Sequence, residues 1–141
     1  MGLAGVSQTL VAGSAEGDVL ALDEPLSFWG GVHEATGVVT DIHHPQHGLC
    51  ITGRILVMPS GRGSSSSSSV LAELIRAGAA PAAIVLGAGD PIIALGALVA
   101  EALYGRGVPV VVLPAPDYAR VAAMKRVRVH GHEGSVEVTP V

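Results

Sequence analysis

The spacing of apolar positions changes character near residue 53. Upstream, short apolar runs alternate with Gly and Pro. Thr9-Leu10-Val11 and Asp18-Val19-Leu20-Ala21-Leu22 read as strands, and Gly13-Ser14-Ala15-Glu16-Gly17 between them reads as a turn. Residues 23–50 hold Pro25, Gly30, Gly31, Gly37, Pro45 and Gly48 and predict a long irregular segment. Its apolar members Leu26, Phe28, Trp29, Val38, Val39 and Ile42 predict that it is ordered and packs on something. Downstream, continuous apolar blocks alternate with helical spacing. Arg54–Met58, Ala83–Leu86 and Val108–Leu113 are the lengths of buried strands. Val70/Leu74 and Leu71/Ile75 mark a helix stopped by Gly78. Asp90-Pro91 opens another, with Asp as cap and Pro in the first turn; Ile92, Leu95, Val99 and Leu103 form its expected apolar face, and Gly105 ends it. Val127/Val129 and Val136/Val138 around Gly131–Gly134 predict a closing hairpin. The result is one α/β domain over residues 1–141, with a β-rich first half and a βαβαβ second half whose strands run parallel.

Composition narrows the function. Apolar residues make up 49% and charged residues 14%, with mean hydropathy +0.53, which excludes a disordered chain. The same balance hints that some apolar surface faces a partner. The formal charge of −4 leaves no basic footprint for a nucleic-acid backbone. A single cysteine, Cys50, excludes an internal disulfide or a multi-cysteine cluster and is expected to be a small buried hydrophobe. Neither a signal peptide nor a bilayer-spanning run is evident, so a cytoplasmic location with no membrane association is expected.

Candidate chemistry concentrates where the first buried strand ends. Gly61-Arg62-Gly63-Ser64 opens a run of six serines, Ser64 to Ser69, which leads into a helix. Ligands of open α/β sheets bind at the carboxyl ends of parallel strands. Glycines there allow close backbone approach, and a helix start favours negative charge. Such a setting suits an anionic substrate group, and it could lower the cost of a serine alkoxide. The competing expectation is a low-complexity linker. The run is not a P-loop, because no Gly-Lys-Ser/Thr closes it. His43, His44 and His47 resemble a metal cluster, but Pro45 breaks any helix that would align them, and no metal site is expected. His33, His43, His44 and His47 are expected to hydrogen-bond within loops or line an interface, and His130 and His132 to be solvated.

Several motifs together resemble the swivel domain of the aconitase X family. They are Pro25-Leu26-Ser27-Phe28-Trp29-Gly30-Gly31, Thr36-Gly37, Asp41-Ile42-His43-His44-Pro45, Gly53–Pro59, the Gly61-Arg62-Gly63 turn with its serines, Ala80-Pro81-Ala82 and Asp90-Pro91-Ile92. The likeness runs from about residue 13 to 114. It implies a swivelling β/β/α domain as in aconitase, acting as the small subunit of a two-part hydro-lyase and inactive alone. A large subunit would carry the iron–sulfur cluster, and this chain would bind no cofactor of its own. The serine directly after the Gly-x-Gly turn, Ser64, would be the base, with Ser65 and Ser66 next to it. Arg62, Gly63 and Ser65 are the expected substrate contacts. The polyserine start and the Ala- and Gly-rich composition fit bacterial members, which points to dehydration of cis-3-hydroxy-L-proline to a pyrroline-2-carboxylate. The alternatives are the small subunit of a phosphomevalonate dehydratase and, from another class, a non-catalytic anion-binding module.

Overall fold

A computed structural model describes residues 7–62 and 65–141. Among the described residues seven strands form one sheet: β1 (Gln8–Val11), β2 (Gly13–Ala21), β3 (Ile55–Met58), β4 (Ala83–Leu86), β5 (Val110–Val112), β6 (Arg126–His132) and β7 (Ser135–Pro140). Their order is β1-β5-β4-β3-β2-β6-β7. The central strands β2, β3, β4 and β5 are parallel, whereas β1, β6 and β7 pair antiparallel with their neighbours. The sheet curls into a near-barrel. Thr9 Oγ1 on β1 donates to the Ser135 carbonyl on β7 at 2.9 Å, although these strands end the order on opposite sides. Gly131 of β6 permits this approach: a Cβ there would come within 2.9 Å of Val111 and 3.1 Å of Thr9.

The helices are α1 (Phe28–Gly31), α2 (Ser66–Arg76), α3 (Pro91–Tyr104) and α4 (Ala115–Ala122). The first is one distorted turn, broken by Trp29 and by Gly30 at φ +79°. The buried strands are apolar throughout because both faces of the sheet are covered. Leu56, Met58, Ile84, Leu86, Val110 and Val112 face α2, α3 and the residue 22–51 segment. Ile55, Val57, Ala83, Val85 and Val111 face α4 and β6 through Val121, Val127 and Val129.

The strand–helix alternation from β3 to β5 and the closing hairpin match expectation. Four expectations change. Gly13–Gly17 is strand: each residue pairs with β6, from Gly13 opposite Gly131 to Gly17 opposite Val127. The α3 face is rotated. Ile93, Gly96, Ala97 and Ala100 are buried, while Leu95, Val99 and Leu103 are exposed. The small residues let α3 approach α2 closely. A Cβ on Gly96 would sit 2.7 Å from the Ser68 carbonyl oxygen. Cys50 is exposed, with its thiol donating to the Thr36 carbonyl. Finally, Ser66–Ser69 are helical and form the first turn of α2, so the linker expectation fails for them.

Residues 22–54 connect β2 to β3 and form an ordered flap. Within it, Val32 bridges Val39 and Val38 bridges Cys50. His44 fastens the flap. It is buried, its Nε2 lies 3.2 Å from the Glu24 carbonyl, and its Nδ1 accepts from the Gln46 N–H at 3.0 Å. This pairing requires the neutral tautomer protonated at Nε2. Gln46 adds a reciprocal pair with Asp23, accepting from its N–H at 3.1 Å and donating to its carboxylate at 2.9 Å.

Candidate functional site

Parallel strands deliver their carboxyl ends to one edge, and the segments leaving that edge build the site. The chain leaves β2 toward Glu24 and Leu26, β3 toward Gly61 and Arg62, and β4 toward Gly89 and Asp90. Leu26 bridges Gly61 in parallel fashion, which extends the β2–β3 pairing beyond the regular strands. On the other flank Asp90 caps α3. Its Oδ1 accepts from the N–H groups of Ile92 at 2.9 Å and Ile93 at 3.4 Å, while Pro91 occupies the first turn. A side chain at Gly61 would collide with the Asp90 carboxylate and come within 2.6 Å of Ile93. Glycine at 61 is therefore favoured by close approach, since a side chain there would have to displace the capping carboxylate and the Ile93 tip, and its backbone lies between Leu26 and Asp90.

Arg62 is exposed, and its Nη2 lies 3.9 Å from Glu24 Oε1. Both side chains are about half exposed, so the pair is worth no more than about 1 kcal/mol. The guanidinium is thus held at the edge by a weak contact that could exchange for another carboxylate. Ser65 is the N-cap of α2, and its side chain makes no capping hydrogen bond. Its carbonyl accepts from the N–H of Ser68 at 3.1 Å and from the Ser68 hydroxyl at 2.7 Å. Gly63 and the expected base Ser64 lie outside the described residues.

Two neighbours of this edge were not legible as site residues. Glu24 is the partner of Arg62, yet the sequence marks it only as a charge before Pro25. Ser67 is buried, and its hydroxyl accepts a long hydrogen bond of 3.4 Å from the Trp29 N–H. Inside a run of identical residues, the Leu71/Ile75 spacing extended back one turn is the signal that could have marked it. This contact sets the α1 turn beside the first turn of α2, so the Phe-Trp-Gly-Gly motif and the serine run share one side of the protein. Phe28 is buried, whereas Trp29 is 61% exposed.

The histidines do not converge. Among the described residues, no three His, Cys, Asp or Glu side chains gather as a metal site. His43 and His47 are exposed, and His44 is the flap fastener described above. His130 and His132 are exposed on β6, with their rings 5.1 Å apart. The edge therefore offers hydroxyls at a helix start, one guanidinium and close-packed glycine backbone. Among the described residues, those groups can hold a carboxylate through charge and hydrogen bonds, and they form no cluster of metal ligands. Among the described residues, no helix is long and apolar enough to cross a membrane.

Known proteins place this arrangement. The family model for the aconitase X swivel domain matches residues 5–138. A cis-3-hydroxy-L-proline dehydratase of Pseudomonas aeruginosa is 55% identical over 108 residues, which cover 77% of this chain and 19% of that protein. A phosphomevalonate dehydratase small subunit of Thermococcus gammatolerans is 40% identical over 129 residues, 92% of either chain. The crystal structure of Thermococcus kodakaraensis aconitase X in its holo-form superimposes with a TM-score of 0.79 at 36% identity, covering 95% of this chain and 96% of that one. The chain spans about one fifth of the length of the curated hydroxyproline dehydratases it matches. With its parallel core, curled edges and serine-led α2, the chain belongs to the aconitase X swivel-domain family.

Proposed function

We propose that this chain is the swivel part of an aconitase X-type hydro-lyase, and that the complete enzyme dehydrates cis-3-hydroxy-L-proline to a pyrroline-2-carboxylate. The observation that carries this reading is the serine-led start of α2 at the carboxyl edge of a parallel sheet, beside Arg62. The substrate assignment is supported by identity: 55% to the Pseudomonas dehydratase against 40% to the Thermococcus small subunit.

In this reading the chain's own groups do three things. Arg62 leaves Glu24 and pairs with the substrate carboxylate, which fixes the ring. Ser64, directly ahead of Ser65 in the chain, acts as an alkoxide whose own proton has passed to solvent, and it takes the proton from the carbon next to that carboxylate to become the neutral hydroxyl. The start of α2 stabilises the negative charge that builds up as the proton leaves. The iron–sulfur cluster is assigned to the large subunit, where it supplies a Lewis acid for the departing hydroxyl. With Cys50 as its single cysteine, the chain's sequence offers no multi-cysteine ligand set for such a cluster.

A second reading has its own support. The archaeal phosphomevalonate dehydratase small subunits match nearly end to end, 92% of both chains in the Thermococcus gammatolerans case. A single experiment separates the two. The chain is co-expressed with its large subunit, purified without oxygen, and assayed on cis-3-hydroxy-L-proline and on phosphomevalonate. Turnover of the hydroxyproline alone is expected. Turnover of phosphomevalonate alone would overturn the substrate assignment, and turnover by this chain without the large subunit would overturn the two-part reading.

A further inference from the structure

Resting on that two-part reading, we infer that the large subunit docks on two apolar shoulders flanking the serine segment: Trp29 on one side, and the Leu95–Leu98 ridge of α3 with Leu10 on the other. The geometry begins at Gly61. Its backbone is bridged on one flank by Leu26, two residues before the turn that presents Trp29, and packed on the other by Asp90, the cap of α3. A body that covers the carboxyl edge at Gly61 therefore meets the Trp29 turn on one flank and the start of α3, where the Asp90–Leu98 groove opens, on the other.

The first shoulder is a tryptophan held outward. Phe28 anchors the turn in the core, the Ser27 hydroxyl donates to the Trp29 carbonyl at 2.8 Å, and Ser67 accepts from the Trp29 N–H. The indole is thus presented from a fixed backbone while 61% of the residue meets solvent. Tryptophan is prominent among the few residues that dominate interface energetics, and a fixed backbone lowers the entropy lost on docking.

The second shoulder is a helix that is apolar all round. Glu101 is the one charged residue among the 14 of α3. A helix of that kind is normally enclosed on every side, yet Leu95, Leu98, Val99, Leu103 and Tyr104 are exposed. A groove of about 390 Å³ runs from Asp90 and Pro91 past Ala94 to Leu95 and Leu98, with Leu10 of β1 as its far wall. It therefore opens at the edge that carries the candidate site. That continuity favours the large subunit over a second copy of this chain. So does the Pseudomonas relative, in which the matched segment is 19% of one long chain and stays tethered to the remainder.

Two exposed-surface variants, Trp29→Ala and Leu98→Glu, test this. Affinity for the separately expressed large subunit is measured anaerobically by calorimetry, after equal melting temperatures have shown that both variants are folded. Trp29→Ala is expected to weaken binding at least about thirty-fold, and Leu98→Glu at least about ten-fold. Because Trp29 is the only tryptophan, 5-fluorotryptophan labelling places one ¹⁹F resonance at the proposed contact, and adding unlabelled large subunit is expected to shift it. Native affinity in both variants, with the native complex forming normally, would overturn the docking surface and leave the two-part reading standing. So would variants that abolish only self-association, which would identify a second copy as the occupant. A Trp29→Ala variant with native affinity and a raised KM would reassign Trp29 to the substrate. No complex with the native chain would overturn both the surface and the reading beneath it.

Discussion

A single methyl group added at Gly96 reports on the packing that sets the serine helix. Gly96 lies in the middle of α3, where replacing glycine by alanine ordinarily stabilises a helix by about 1 kcal/mol. Here the added Cβ would lie 2.7 Å from the Ser68 carbonyl oxygen, 3.1 Å from the Ser68 Cα and 3.1 Å from the Leu71 Cβ. Two of these three atoms are backbone in the first turn of α2, so no rotamer change relieves the contact. Overpacking of this kind costs about 2–3 kcal/mol. After the gain in helix propensity, the net loss is about 1–2 kcal/mol. For a domain of 141 residues, 1 kcal/mol moves the melting midpoint by about 4 °C. Gly96→Ala is therefore expected to lower Tm by about 4–8 °C in a calorimetric melt. Because the pressure falls on Ser68, it should also displace the start of α2 and lower the activity of the reconstituted enzyme. A raised Tm would mean that propensity alone governs the site, and it would refute the close α2–α3 crossing.

Two further outcomes follow from the surface and the caps. Asp90→Ala removes both acceptor contacts at the start of α3 and should cost about 1 kcal/mol, or about 4 °C in Tm, while Asp90→Asn should restore most of it; an unchanged melt for Asp90→Ala would show that the cap is not used. The Glu16 carboxyl is held below its ordinary pKa first by its hydrogen bond to Arg128 and then by that to Arg126, so its contribution to stability is present at neutral pH and is lost as pH falls through the depressed value. The Tm difference between the native chain and Glu16→Gln should therefore shrink in acid and in high salt, and a difference that grew in acid would contradict the assigned pairing.

What the sequence shows and what it hides have different physical causes. The strands β3, β4 and β5 are legible because burial on both faces demands unbroken apolar runs. The limits of α3 are legible because Asp90 and Pro91 are a start signal. Gly105 is a stop, adopting φ +68° while its N–H bonds the Glu101 carbonyl. The buried face of α3 is not legible. In a helix apolar all round, the stripe of large side chains at 92, 95, 99 and 103 competes with the stripe at 93, 96, 97 and 100, in which Gly96, Ala97 and Ala100 are small. Close approach to α2 selects the small stripe. Gly13–Gly17 looks like a turn because glycine and serine disfavour strands. Pairing with β6 overrides that preference, and Gly17 itself is needed where a Cβ would come within 2.7 Å of the Gly53 carbonyl oxygen.

The candidate site divides in the same way. Its location at the strand end and the importance of Gly61 and Arg62 follow from local pattern. The contacts that organise it are long-range. Arg62 with Glu24, Leu26 with Gly61, and Trp29 with Ser67 each join segments that only the fold brings together. Extending the Leu71/Ile75 spacing back one turn is the signal that could have singled out Ser67, and among the described serines of the run it is the buried one.

The central claim, that this chain supplies the proton-abstracting serine to a two-part dehydratase, is tested most directly by Ser64→Ala. The variant is co-purified with the large subunit without oxygen and assayed on cis-3-hydroxy-L-proline beside the native complex. The account predicts a complex of native affinity and melting temperature whose turnover falls by at least about a hundred-fold. Native turnover in that complex would contradict it.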